Sequence, residues 1–463
     1  MTQTVLNTTD TTEVPKDLGL SAMSKERYEL SDKLLAILTP VMNEVHGTTY
    51  SHRFWSLVMA PYVNAVLSVQ RLFEQQPITA KPGLFAVNTF RPLTAKQVIK
   101  ANMVRYAKFC LGLKHLVKNK RVLKYEHNIL IGFSGIEYIV KALGTPVCNT
   151  TFLFYGHGDT SKRKIVNSIA CRYDDTFYRN LITQLPKLYV EFFTQAYNSI
   201  PLYNPAAKTI HLQMVTSETT EFLVAKYIEH GAKLYWYQHG ACYGEYVGHN
   251  AHHNESNIAD VFRSWGWKIK PNDEPWKAYR LQKFKDNYDS SITTKKHSLM
   301  LCYTIVYPAN EKKMAALTDF FLTNISKEKY NSILARPRAI NKLNSHSHLL
   351  HFIKDSRVTI DTGLTDMALL TRQCELVIQM MVPGTNFLEC IYVNHPVMGI
   401  LVNEQPTDMV KPYYDFFVNN GVLHYNFDTL IQHLNNIDIQ QWWQHLIQQP
   451  MYLDFKNTFA RQV

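Results

Sequence analysis

The chain lacks a Cys-x-x-Cys pair, a block of five or six consecutive Lys or Arg, and any run of about 20 apolar residues. Its seven cysteines are scattered without regular spacing. An odd, unpatterned set in a long chain argues for a reducing compartment and against a disulfide framework. The longest apolar stretches, such as 128–147, are interrupted by Glu137 and Lys141, so no segment is expected to cross a membrane. Residues 1–17 are polar and Thr-rich, without a basic start and apolar run, so no secretory signal is expected. Zinc-finger and RNA-recognition signatures are missing too, which ranks nucleic acid low among partners. The expected location is cytoplasmic.

What is present suits a folded enzyme. The 463 residues are long for one hydrophobic core and comfortable for two α/β lobes. The formal net charge of +11, from 49 basic and 38 acidic residues, favours an anionic partner such as nucleotide phosphate, acidic sugar or anionic lipid. The densest basic clusters, Lys162-Arg163-Lys164 and 118–121, read first as solvated faces. Peripheral contact with an anionic inner membrane face comes second.

Apolar residues recur at helical spacing through Leu34, Leu35, Leu38, Val41, Met42 and Val45, and again through Phe54, Trp55, Val58, Val63, Val66 and Leu67. Residues 152–155 and 210–215 read as strands. After the second, Thr216 or Ser217 is placed to cap a helix carrying Phe222, Leu223, Ala225 and Ile228, with Gly231 as its left-handed stop. Residues 234–237 follow as the next strand. The polar stretch 271–296 reads as an inter-lobe connection. Beyond it a second α/β series alternates strands near 299–306, 332–335, 358–360, 375–380 and 396–401 with helices.

Three segments at strand ends carry chemistry, since ligands bind outside the carboxyl ends of parallel strands. The first is Gln238-His239-Gly240-Ala241-Cys242-Tyr243-Gly244-Glu245. Gly240 and Gly244 permit tight turns and close backbone approach, and His239 and Glu245 are candidates for acid/base work. The second is Pro383-Gly384-Thr385-Asn386-Phe387-Leu388-Glu389. A glycine, a hydroxyl and a helix start make an anion site, with Glu389 one turn inside and within reach of a ribose diol. The third, Arg336-Pro337-Arg338, brings two guanidinium groups to the same sheet edge. Asp159, after Gly156-His157-Gly158, is a further candidate carboxylate. His249, His252 and His253 lack metal-ligand spacing and read as a polar loop.

These segments resemble a family of surface-polysaccharide transferases from capsule and O-antigen loci with nonulosonic acids. The resemblance lies in Gln238-His239-Gly240, Tyr243-Gly244 and Trp265-Gly266-Trp267, then Gly384-Thr385-x-Phe387-Leu388-Glu389 and Asn394-x-Pro396. Asn43-Glu44-Val45-His46, Tyr50, Ser51, Arg53-Phe54-Trp55 and Pro61 match its N-terminal pattern, so it runs from about residue 35 to 400. The chain is similar, more distantly, to capsular Kdo and pseudaminic acid transferases, which have a GT-B fold and use CMP-activated sugars. The resemblance implies that Gly384, Thr385, Asn386 and Glu389 face the nucleotide and that His239 lies in the cleft. Ala241 and Cys242 depart from the commoner Gln-His-Gly-Gly form.

The expectation is therefore an α/β, GT-B glycosyltransferase with two Rossmann-like lobes facing a central cleft and helical additions at both ends. Residues 1–24 form a tail, 25–270 an acceptor-side lobe, 297–430 a nucleotide-sugar lobe, and 431–463 terminal helices. It would move a nonulosonic acid from a CMP-sugar donor to a glycan or lipid-linked glycan, with retention by resemblance. The leaving phosphate would be met by Arg336, Thr385 and a helix N-terminus rather than by a metal. A UDP-sugar epimerase or transferase of the same fold is the alternative among enzymes. A non-catalytic polysaccharide assembly protein is the alternative outside them.

Overall fold

A computed structural model of the protein describes residues 25–68, 128–131, 158–200, 205–215, 218–247, 249–289, 294–303, 311–336, 353–361, 365–382, 384–401 and 406–462, with Glu74, Leu202 and Gly363 besides. Two compact units divide the chain: Ser24–Tyr237 with His253–Phe262, and Gln238–His252 with Arg263–Val463. Among the described residues no helix is long and apolar enough to cross a membrane.

In the N-terminal unit, the two helical patterns form α1 (Lys25–His46) and α2 (His52–Ser68). Leu34, Leu38, Met42, Phe54, Trp55 and Val58 are all fully buried, which is what a 3.6-residue period achieves when one face meets a core. Asn43 organises the turn between the two helices. Its Oδ1 accepts from the Tyr50 N–H (3.0 Å), the Thr48 hydroxyl (2.9 Å) and the Trp55 indole (2.8 Å), and its amide donates to the Tyr50 carbonyl (2.9 Å). Arg53 grips Asp260 through two nitrogens (3.1 and 2.7 Å) and the Ile258 carbonyl through Nε (2.5 Å). His46 Nε2 lies 2.8 Å from the Tyr189 carbonyl, and burial holds its pKa down at about 4. The N-terminal motif residues thus act as local architecture.

The same unit carries β1 (Asn128–Ile131), β2 (Thr209–Leu212) and β3 (Lys233–Tyr237), paired in parallel from Asn128↔Thr209 and Thr209↔Lys233. Helix α3 (Glu218–Glu229) crosses from β2 to β3 and buries Phe222, Leu223 and Ala225. Gly231 ends it at φ +82°, the β-α-β reading of the sequence. Thr216, Ser217 and the strand expected at 152–155 lie outside the described residues.

Beyond β4 (Val261–Ser264), the C-terminal unit runs through β5 (Asp273–Pro275), β6 (His297–Cys302), β7 (Ile333–Arg336), β8 (Val358–Ile360), β9 (Cys374–Val382), β10 (Val397–Leu401) and β11 (Leu423–His424). Its sheet has the order β11-β10-β9-β6-β7-β8, all parallel. Counted within this sheet, that is the doubly wound order 3-2-1-4-5-6, with its switch point between β6 and β9. β10 is buried throughout and β6 and β9 nearly so, because helices cover both faces of a parallel sheet. Against one face pack Met314, Leu317 and Phe321 of α5 (Glu311–Asn324) and Phe427, Leu430 and Leu434 of α9 (Phe427–Asn436).

The segment 271–296, expected as a connection, holds β5 and a helix, α4 (Tyr279–Asp289). Leu281, Phe284 and Tyr288 of α4 are buried, the last two against Ala368 of α6 (Met367–Gln373). Helix α7 (Thr385–Tyr392) follows β9 directly. The Asn394-x-Pro396 motif closes α7. Asn394 sits at φ 54°, and its Oδ1 accepts from Tyr452 (3.1 Å) and Lys456 (2.8 Å) of α11 (Pro450–Phe459). The helices α8 (Lys411–Asn419) and α10 (Ile439–Leu446) complete this end.

Asn43→Ala removes four hydrogen bonds and strands the Trp55 indole. The expected loss is about 2–4 kcal/mol of stability. Urea unfolding checks it: a midpoint equal to that of the parent would show that the turn is not held by this side chain.

Candidate functional site

The chain leaves β3 at Tyr237 and enters Gln238–Glu245. Gln238 is buried and bonded at both ends of its amide. Oε1 accepts from the Trp265 N–H (2.8 Å) and the Trp267 indole (2.9 Å), and Nε2 donates to the Gly240 carbonyl (2.8 Å). The Gln-His-Gly and Trp-Gly-Trp segments are thus one hydrogen-bonded assembly. Gly244 combines φ +74° with a position where a Cβ would lie 2.7 Å from the Trp267 ring, so no other residue fits. Cys242 also has a positive φ, 77°, a conformation that costs about 1–2 kcal/mol without glycine.

Glu245 offsets that strain. It is 1% exposed; Oε1 accepts from the Cys242 N–H (2.7 Å) and Oε2 from the Tyr414 hydroxyl on α8 (2.7 Å). Burial pushes its carboxyl up to about 7, against the pull of these two bonds. Both oxygens are therefore occupied inside the protein, and the side chain acts as a clamp on the turn. His239 is placed differently. It is half-buried, with Nδ1 2.8 Å from the Tyr243 hydroxyl. The buried Tyr243 ring meets His249 edge-on at 4.4 Å between centroids. Burial, then the charges of His252 and His239, hold His249 down at about 3. His252 and His253 lie on a helix, Asn250–Ile258, rather than on a polar loop; His253 pairs with Asp32 at 3.0 Å.

The second segment meets the first within the C-terminal unit. The Thr385 hydroxyl accepts from the Ala241 N–H (3.2 Å), and a Cβ on Gly240 would lie 3.3 Å from the same oxygen. A hydroxyl has two acceptor positions and one donor, so this bond leaves the Thr385 hydrogen available. Gly384 precedes α7 in extended conformation with no side-chain cap. Inside the first turns, Asn386 donates to Glu389 (3.3 Å), and both are about nine-tenths buried. Burial raises the Glu389 carboxyl, opposed first by Arg280, whose Nε lies 3.8 Å from Oε1. Arg280 also donates to the His239 carbonyl at 2.7 Å. Its helix, α4, was hidden in the polar stretch read as a connection, although Leu281, Phe284 and Tyr288 keep helical spacing.

The other expected residues stand apart from this cluster. The Arg336 guanidinium is committed to Asp361 and to the carbonyls of Thr365 (2.9 Å) and Gly363 (3.4 Å), fixing the turn after β8. Arg338 and Pro383 lie outside the described residues. Asp159, in the N-terminal unit, is exposed and sits just before the helix Ser161–Ala170, accepting from the Ser161 N–H (3.0 Å) and hydroxyl (2.5 Å). Tyr414 and Arg280 escaped the sequence reading because their partners, Glu245 and His239, are distant in the chain.

Two α/β units with parallel sheets, one in full doubly wound order, define a protein of the GT-B fold class. The chain belongs to the LIC12162 family of transferases, whose model matches residues 153–463. No characterised protein sequence matches it. Among solved structures it is similar to the wall teichoic acid polymerase TagF in an H548A form, at 13% identity, covering 77% of this chain and 94% of that one, with a TM-score of 0.34. It is similar to a glycosyltransferase from Rickettsia africae ESF-5 (12% identity, 73% and 95% covered, TM-score 0.34) and to UDP-N-acetylglucosamine 2-epimerase from Rickettsia bellii (9%, 73% and 99%, TM-score 0.41).

The Glu245 clamp makes stability pH-dependent. The folded chain holds this proton up to about pH 7, while the unfolded carboxyl releases it near 4.5. Its contribution is therefore complete below about pH 4.5 and is lost as pH rises through about 7. The loss is of the order of 3 kcal/mol. Glu245→Gln removes the titration, so the variant should gain on the parent between pH 5 and pH 8. Parallel stability curves from urea unfolding across that range would refute the assignment.

Proposed function

We propose that this transferase is a glycosyltransferase whose donor is a CMP-activated nonulosonic acid, pseudaminic acid first and Kdo or another sialic-type sugar next. The acceptor is a glycan or lipid-linked glycan of capsule or O-antigen, met at the cytoplasmic membrane face. One observation carries the nucleotide site: α7 starts at the carboxyl end of β9, beside the sheet's switch point, with Thr385 at its first position and Glu389 one turn inside. That is where a doubly wound sheet takes a nucleotide, with the phosphate on a helix N-terminus. The CMP and nonulosonic assignment rests on the motif resemblance, and the basic balance of the chain agrees with an acidic sugar.

In such a transfer the bond between the anomeric carbon and the phosphate oxygen breaks, CMP leaves, and an acceptor hydroxyl takes its place while losing a proton. The Thr385 hydroxyl and the start of α7 stabilise the departing phosphate. The resemblance puts Glu389 on the nucleotide side of this helix start, with its side chain 11% exposed and paired with Asn386 and Arg280. His239 is the group we assign to acid/base work: it is partly exposed and oriented through Nδ1 by Tyr243, whereas both Glu245 oxygens are occupied. Transfer is read as retaining, by resemblance, and without a metal.

Thermal shift with CMP, CDP, UDP, UMP and GDP tests this, since a ligand that binds only the folded state raises the melting temperature. CMP should give a selective rise of a few degrees at saturation, lost in Thr385→Ala and reduced in Glu389→Gln. A selective rise with UDP would replace CMP by a UDP-sugar, for a transferase or an epimerase. No rise with any of the five would favour a non-catalytic assembly protein.

A further inference from the structure

Arg280 stands where the two site segments meet. Its guanidinium donates to the His239 carbonyl at 2.7 Å, and its Nε lies 3.8 Å from Glu389 Oε1. The Arg280 side chain is 38% exposed and that of Glu389 11%, so the guanidinium covers a buried carboxylate and keeps an edge towards solvent. Arginine carries five N–H donors in a rigid planar fork. Two contacts on its inner side leave donors on the outer edge, the arrangement that receives two oxygens of a phosphate or carboxylate together. Arg336, one of the two cations singled out in the sequence, is instead enclosed by Asp361, Gly363 and Thr365.

We propose that Arg280 is the residue through which this site reads the anionic group of its donor, held in position by Glu389 and the His239 carbonyl. This rests on the nucleotide-site reading above. The shared chemistry is a planar or tetrahedral oxyanion, and two sources supply it: the nucleotide phosphate and the carboxylate of the sugar. The contact also reaches the loop bearing His239, so an anion seated on Arg280 bears on the backbone next to the acid/base group.

Titration calorimetry with cytidine, CMP and CMP-N-acetylneuraminate separates the sources, using the full chain and the variants Arg280→Gln and Arg280→Lys. If the phosphate is read, Arg280→Gln weakens CMP about 10- to 100-fold while cytidine changes by about twofold or less. Arg280→Lys should fall between, as a point charge without the fork. If the carboxylate is read, the CMP-to-cytidine ratio survives and the gain of CMP-N-acetylneuraminate over CMP is lost instead. Both ratios unchanged in Arg280→Gln, or cytidine weakened as much as CMP, would overturn the inference while leaving the nucleotide site standing. A parent chain that binds none of the three overturns the CMP site and this inference together.

Discussion

Much of the candidate site depends on the buried amide of Gln238, whose oxygen serves two tryptophan N–H groups and whose nitrogen serves the Gly240 carbonyl. Leaving a buried donor or acceptor unpaired costs about 1–3 kcal/mol, so three such bonds on one amide define one path for the chain after β3. Along that path the Ala241 N–H reaches Thr385 at the start of α7. The turn also needs left-handed geometry at Cys242 and Gly244. Glycine takes it freely; cysteine does not, and the paired carboxylate of Glu245 is what holds the strained residue in place. A stiff loop of this kind suits a site whose groups must be in place before the ligand arrives.

The sheet of the C-terminal unit was largely legible in the sequence because parallel strands covered on both faces read as unbroken apolar runs. The loop after β3 and the start of α7 were legible for a different reason: glycines beside titratable groups at strand ends are scarce outside turns and sites. Helix α4 was not, since its exposed face carries Lys283, Lys285, Asp286 and Asp289, and the charge masked a short apolar period. Pairings across the chain were beyond reach as well. Tyr414 and Glu245 are 169 residues apart and Arg53 and Asp260 are 207 apart, and no local pattern announces such partners.

The same distance explains why motif residues changed meaning. Asn43, His46, Arg53 and Asn394 stand out in the sequence as strongly as His239 does, yet their side chains hold turns and helix ends. A polar residue that completes a buried hydrogen-bond set is as constrained as one that touches a ligand, and residue type alone does not separate them. Burial does not separate them either: Asn43, His46 and Arg53 share the partial exposure of His239 and Thr385, and only Glu245 among these is enclosed.

Charge follows the same logic. The surplus of basic residues favours an anionic partner for the whole chain but says nothing of where it binds, because many of the arginines are already matched internally: Arg163 with Glu191, Arg336 with Asp361, Arg357 with Asp355. An arginine enclosed by a carboxylate and carbonyls is a structural strut, since freeing it for a ligand would leave a buried acid uncompensated. Arg280 differs in degree at each point. Its carboxylate partner lies farther off, at 3.8 Å, its exposure is greater, and burial already raises that partner's carboxyl. An incoming oxyanion would therefore meet a positioned guanidinium with an exposed edge, able to form charge-assisted hydrogen bonds.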